Sequence, residues 1–283
     1  MSSSDSHRPT SLRQFAQNLL ASYPEAEIRR ALASNPTLEA IRRDPTAVLT
    51  RAGMNPDPWQ AQLLRSDAKR MLLLCSRQAG KSQTAAALAI KTALCDPGLI
   101  LILAPSERQA GELLKDKLVP VYQALGSPVP VVRESALQMT LANGARIIAL
   151  PGKEETVRCF SGVKLLILDE ASKVPDALYF TVRPMLSVSR GKLIALSTPW
   201  GKRGWFFEAW QGAGADPWHR VRITADQCPR IDAESLREEL ATLGPRWYRQ
   251  EYECSFEDTI DAVFAHSDIQ AALSDEVAPL FGR

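Results

Sequence analysis

Five short apolar runs punctuate the middle of this chain: Met71–Cys75, Leu99–Ala104, Arg146–Leu150, Leu165–Leu168 and Leu193–Leu196. Helical stretches separate them. The Ala-rich segment Lys81–Leu94 lies between the first and second runs. Glu107–Leu125 lies between the second and third, followed by the shorter strand candidates Val129–Val132 and Leu137–Leu141. Runs that are apolar throughout, without polar alternation, belong to strands buried on both faces, and helices must cover those faces. The pattern predicts an α/β fold built on a mainly parallel sheet.

The 283 residues leave room for more than that sheet. Residues 11–50 read as helical. Leu12, Phe15, Leu19 and Leu20, then Ile28, Leu32, Leu38 and Ile41, recur at the helical period, and Pro24, Pro36 and Pro45 cut the stretch into pieces. Packing against the main domain is the expected role of this preface. After about residue 225 the strands stop. Asp232–Leu243 and Pro245–Tyr252 read as two helices with Gly244 between them. The division expected is 1–54 as a helical region, 55–225 as the core and 226–283 as a helical lid or linker.

Charge narrows the chemistry only a little. Lys+Arg number 34 against 32 Asp+Glu, a formal net charge of +2, so bulk basicity is absent. A nucleic-acid groove needs only a local basic patch and stays open. No run approaches the ~18–20 apolar residues of a membrane span, and Met1–Thr10 is polar and Ser-rich. A soluble, intracellular chain is expected. Cysteines 75, 95, 159, 228 and 254 form no CxxC pair, and His7, His219 and His266 stand at no ligand spacing. Buried thiols are therefore expected, not a disulfide framework or a zinc site.

The run Met71–Cys75 passes directly into Ser76-Arg77-Gln78-Ala79-Gly80-Lys81-Ser82-Gln83 and then a helix. Strand, tight loop and helix with Gly-Lys-Ser at the junction is what a phosphate cradle needs. Gly80 lets backbone approach, loop and helix N–H groups point at the anion, Lys81 reaches the terminal phosphates, and the Ser82 hydroxyl suits Mg²⁺. Where a generic loop of this kind starts with Gly, this one has Cys75.

Leu165–Leu168 ends in Asp169-Glu170, a buried strand delivering two carboxylates to the edge where α/β sheets bind ligands. Asp169 would support Mg²⁺ and Glu170 would deprotonate an attacking water. An acidic start to the next helix would look the same in isolation. Leu193–Leu196 ends in Ser197-Thr198-Pro199, hydroxyls placed to sense a terminal phosphate and relay its loss into Trp200–Arg203. Upstream, Trp59-Gln60 supplies an aromatic wall and an amide able to pair with an adenine edge.

In this order and spacing the four motifs resemble the ATPase domain of the large terminase subunit, the motor that packages DNA into tailed-phage capsids. Trp59-Gln60 looks like its adenine motif, Cys75–Ser82 like its deviant Walker A, Leu165–Glu170 like its Walker B, and Ser197-Thr198-Pro199 like its coupling motif. Arg77, and the missing first Gly, match habits of that family. The resemblance covers about residues 55–265 and implies a P-loop NTPase of the RecA-like kind. It further implies ATP and Mg²⁺ as cofactors and ATP hydrolysis driving double-stranded DNA into a procapsid. The stretch Trp247–Tyr252, with Phe256, Val263 and Phe264, looks like the linker to the family's nuclease domain. That domain is not expected within this chain, and Asp258, Asp261 and Asp268 are expected to be linker surface.

Further expectations follow from the same resemblance. A homo-oligomeric ring on a portal or procapsid, a small terminase subunit, and a nuclease domain either in trans or in a missing part of a longer chain would be partners, in the host cytoplasm and without a membrane. Arg158 holds the place of an arginine finger supplied to a neighbour, with Arg77 as its rival. Lys202 and Arg203, or else Arg183, Arg190 and Lys192, are candidates for DNA backbone contacts. Two other readings are a fragment of a superfamily-2 helicase and a nucleotide-binding module that no longer hydrolyses. The first would need a second RecA-like domain. Intact Lys81, Ser82, Asp169 and Glu170 argue against the second.

Overall fold

A computed structural model describes residues 34–157, 160–212, 217–258 and 272. Among the described residues, three helices precede the first strand. In α1 (Pro36–Arg43), the Asn35 carboxamide accepts from the backbone N–H groups of Thr37 and Leu38. Pro36 sits at the first position, where a missing N–H costs nothing. Next come α2 (Ala47–Thr50) and α3 (Pro58–Arg65).

The alternating core follows: β1 (Arg70–Cys75), α4 (Lys81–Cys95), β2 (Leu99–Ala104) and α5 (Glu107–Glu112). A π-helical turn, Leu113–Leu118, joins α5 to α6 (Val119–Ala124). Strands β3 (Val131–Ser135), β4 (Gln138–Leu141) and β5 (Arg146–Pro151) come next, then α7 (Glu154–Val157), β6 (Val163–Asp169) and α8 (Asp176–Val182). The chain continues through β7 (Lys192–Ser197), α9 (Gly204–Gln211), β8 (His219–Ile223) and α10 (Ala233–Glu251).

The strands form one eight-stranded sheet in the order β3-β4-β5-β2-β6-β7-β1-β8. From β5 to β8 all neighbours run parallel, and β3 and β4 add an antiparallel meander at one edge. Side chains alternate between two apolar layers. Met71, Leu73, Ile100, Ile102, Leu165, Ile167, Ile194 and Leu196 face one, which α4 and the π turn cover. Leu72, Leu74, Leu101, Leu103, Leu166, Leu168, Leu193 and Ala195 face the other, under α8 and α9. Burial on both sides is why these runs carry no polar alternation.

The expected strands are present, with shifts. β3 starts at Val131 and not at Val129, because the Tyr122 hydroxyl takes both polar groups of Val129 out of the ladder: it donates to the carbonyl and accepts from the N–H. β8 is an addition that the sequence did not announce. Leu38, Ile41, Val48 and Leu49 share an apolar layer with β1 and α4, so residues 36–50 pack on the sheet. The helical periodicity assigned to residues 11–33 lies outside the described residues, as do Val263, Phe264, Asp261 and Asp268. Helix α10 breaks at Gly244 (φ 75, ψ 164), with Pro245 next, giving the two helices expected there. No helix among the described residues is long and apolar enough to cross a membrane.

Candidate nucleotide site

β6, β7 and β1 are neighbours, and their C-terminal ends deliver the three motifs to one edge of the sheet. Asp169 pairs with Leu196, Leu196 with Leu73, and Ser197 with Leu74. The site therefore lies where parallel strands place their ligands.

The loop after β1 is anchored on both flanks. Ser76 N–H donates to the carbonyl of Ile223 (2.8 Å), extending the ladder with β8, and Arg77 N–H donates to the carbonyl of Glu251 (2.8 Å). Gln78 (φ 57) and Gly80 (φ 93) adopt left-handed backbone. Such kinks curl successive N–H groups towards an anion. No side chain caps α4, so its first-turn donors remain available to the same anion. Gly80 is required twice over. A Cβ there would strain the backbone and would stand 3.0 Å from Gln60 Nε2 and 3.2 Å from an Arg230 guanidinium nitrogen. Lys81 Nζ donates to the Ser76 carbonyl (3.1 Å).

Glu170 follows β6 in left-handed conformation (φ 49, ψ 45), an uncommon backbone for a residue with a side chain. Its Oε2 is shielded from solvent and has no hydrogen-bond partner, with Lys173 Nζ the ion-pair neighbour at 3.9 Å. Burial, then the adjacent Glu170 charge, push the Asp169 carboxyl up to about 6. Two acids crowded in a shielded place, one without a hydrogen bond on its buried oxygen and one reluctant to ionise, form a donor set that a divalent cation suits.

Ser197 and Thr198 are buried at the end of β7. Ser172, in the 3-10 turn after Glu170, lies with its hydroxyl 2.7 Å from that of Ser197 and donates to the Thr198 carbonyl (2.9 Å). An open cleft of 830 Å³ joins the pieces: Arg77, Gln78, Gly80, Lys81, Ser82 and Gln83 line it with Glu170 and Thr198. Gln83 Nε2 is a buried donor without a partner. Ser76 and Ala79 are fully buried and support the loop from behind.

Some expected residues sit elsewhere. Trp59 and Gln60 do not line the cleft. Gln60 is buried: its Oε1 accepts from Asp57 N–H (2.9 Å) and its Nε2 donates to Thr84 Oγ1 (2.9 Å). The amide thus joins α3 to α4 beside the loop. Pro199 is buried behind Thr198. Lys202 pairs with Asp258 (3.0 Å). Arg203 is exposed. Lys192 pairs with Asp67 and lines a separate cavity with Arg190, while Arg183 lies over the Tyr179 ring. Arg77 pairs with Glu251 of its own chain (3.6 Å). Arg158 lies outside the described residues.

The structure adds Lys117, Lys173 and Glu239, which carried no sequence signal, to the cleft lining, and brings there Trp200 of the relay loop and Glu251 and Tyr252 of the linker-like stretch. Arg230 pairs with the buried Asp57 (2.7 Å) and donates to the Ala79 carbonyl (3.1 Å). It ties the segment after β8 to the loop.

Residues 72–271 match the family model described as terminase large subunit, T4likevirus-type, N-terminal. The chain belongs to the terminase large-subunit family. It is 28% identical over 184 residues to the large terminase subunit of Thermus phage G20c, covering 56% of this chain and 38% of that one. To the large subunit of Escherichia phage T5 it is 24% identical over 243 residues, covering 80% and 55%. The chain thus spans about half the length, or less, of the curated relatives it matches. Among solved structures, the large terminase ATPase domain of Thermus phage P74-26 superposes with a TM-score of 0.64 at 22% identity, covering 74% of this chain and 96% of that one. A large terminase from another thermophilic bacteriophage, in complex with ADP, gives 0.57 at 16% identity, covering 71% and 53%. These likenesses establish the terminase ATPase fold for the chain.

Proposed function

We propose that this terminase chain hydrolyses ATP and that the turnover drives double-stranded DNA into a procapsid. The observation that carries the reading is the meeting, in one cleft, of the Gln78–Ser82 anion loop with Glu170, whose carboxylate has no committed hydrogen bond. Its ion-pair neighbour, Lys173, stands at 3.9 Å, beyond hydrogen-bond distance, which leaves the carboxylate free to accept from a water.

In this reading the loop N–H groups and Lys81 hold the phosphates, and Lys81 leaves the Ser76 carbonyl to do so. Ser82 and Asp169 are the residues that would hold Mg²⁺. Bound with the nucleotide, the ion supplies positive charge where negative charge develops on the phosphate oxygens. Glu170 orients water and takes its proton. Thr198, clamped through its carbonyl by Ser172, faces the end of the phosphate chain and passes its loss to Trp200 and the loop beyond.

The surrounding assembly is part of the proposal: a ring of copies and a small subunit. Arg158, or else Arg77, remains the arginine assigned to charge stabilisation between copies. The division into residues 1–54, 55–225 and 226–283 is kept as a functional one. Glu170→Gln is the test. Hydrolysis should fall by ~10²–10⁴, the usual worth of a general base, while fluorescent ATP still binds. Near-normal phosphate release from that variant sinks the assignment of the base, and a wild-type chain that binds no ATP sinks the reading as a whole.

A further inference from the structure

Of the cations that line the cleft among the described residues, all but one are committed to protein partners. Lys81 donates to the Ser76 carbonyl, Arg77 pairs with Glu251, and Lys173 lies between Glu170 and the Trp200 ring. Lys117 lines the same cleft, is exposed and makes no ion pair or hydrogen bond among the described residues. A solitary ammonium facing a cleft that already gathers anion donors is placed for the anion itself.

The backbone explains how it gets there. Lys117 belongs to the π-helical turn Leu113–Leu118, just before Pro120. Proline cannot donate to the carbonyl four residues back and its ring clashes with it, so a widened turn accommodates Pro120 where a tight α-helix would not. Leu113, Leu114 and Leu118 are buried in the layer that includes α4, which fixes the turn against the helix that carries Lys81 and Ser82. Widened turns of this kind recur at functional sites.

Topology says which end of the nucleotide Lys117 meets. The turn follows β2, and β2 lies beyond β6 in the sheet, on the Glu170 side of the loop. Arg230, Glu251 and Tyr252 come from the β8 side. The phosphate chain must end near Glu170 for hydrolysis, so Lys117 approaches the terminal phosphate. We propose that Lys117 is a second phosphate-binding lysine that contacts the γ-phosphate and sets the preference for ATP over ADP. This rests on the ATPase reading given above.

The experiment is nucleotide binding to Lys117→Ala and Lys117→Arg, with fluorescent ATP and ADP as probes and thermal melting as the check on fold. Lys117 is exposed, so the melting temperatures should match wild type. The alanine variant should lose about tenfold in ATP affinity, a charge-assisted bond's worth, with ADP affinity within about twofold of wild type. The arginine variant should recover most of the loss. An unchanged ATP-to-ADP ratio in a folded alanine variant overturns the proposal, as does an equal loss for both nucleotides. If wild-type protein binds neither nucleotide, it is the ATPase reading that has failed and not the assignment of Lys117.

Discussion

The hydroxyl of Ser172 stands 2.7 Å from that of Ser197 and donates to the carbonyl of Thr198. One side chain thus joins the turn after Glu170, the proposed base, to the strand end that carries Thr198, the proposed phosphate-facing hydroxyl. Ser172→Ala should lower turnover by about tenfold, the scale of a buried hydrogen bond, with ATP affinity near that of wild type. Steady-state kinetics would show this as a kcat effect; a rise in KM with kcat intact would mean that Ser172 only shapes the pocket.

Gly80→Ala places a methyl 3.0 Å from Gln60 Nε2 on backbone with φ 93. The expected cost is about 1–3 kcal/mol, together with loss of measurable ATP binding. Urea unfolding and nucleotide titration report the two effects separately. A variant as stable as wild type would show that the loop relaxes freely.

Arg230 pairs with Asp57, whose side chain is 6% exposed, but is itself 48% exposed. Solvent reaches the arginine, so the pair should couple by only about 1 kcal/mol. A double-mutant cycle of Arg230→Ala and Asp57→Asn in urea measures it, and zero coupling would leave Arg230 as a surface residue. In the same variants, weaker ATP binding is expected from loss of the bond to Ala79.

The Asp169 carboxyl is pushed up to about 6 by burial and by Glu170. Its folded value exceeds the unfolded one, so its contribution to stability is full below about pH 4 and is lost as pH rises through 6. Metal-free protein should accordingly melt at lower temperature at about pH 7.5 than at about pH 5. Asp169→Asn should remove most of this group's dependence and raise the neutral-pH melting temperature by about 3 °C or more. Mg²⁺ with a non-hydrolysable ATP analogue should stabilise the wild type and not the variant.

Burial pushes the Cys254 thiol up to about 12 and raises Cys75 as well. At about pH 8 the thiolate fraction at Cys254 is on the order of 10⁻⁴, so native protein should resist iodoacetamide at both positions while denatured protein reacts. Mass spectrometry of tryptic peptides distinguishes the states. Prompt native labelling of either residue would contradict its placement in the core.

What could be read without coordinates was whatever lies close together along the chain. β1, its loop and α4 are one continuous segment, and Asp169-Glu170 and Ser197-Thr198 each end an apolar run. The meeting of these three was legible through parallel-sheet logic. Arg230 was not, because it touches Ala79 and Asp57 across separations of 151 and 173 residues. β8 was hidden for a different reason. As an edge strand, His219-Arg220-Val221-Arg222-Ile223 buries fully only Ile223, so it carries no continuous apolar run. The bridge from Gln60 to Thr84 was not legible either, because the two residues lie 24 positions apart in the chain.

The strand order has a consequence for the chain as it leaves the ribosome. β1 is made early, yet both its neighbours, β7 and β8, come from far later in the sequence. The stretch Met71–Cys75, apolar on both faces, must wait with its backbone groups unmet until Leu193–Ser197 arrives. Pairings of such long range form slowly, and an open apolar strand is what holdase chaperones grip and what seeds aggregates. Nascent chains ending before β7 should therefore be insoluble or chaperone-bound, and the supply of folded protein in the cell should depend on the folding machinery that meets them.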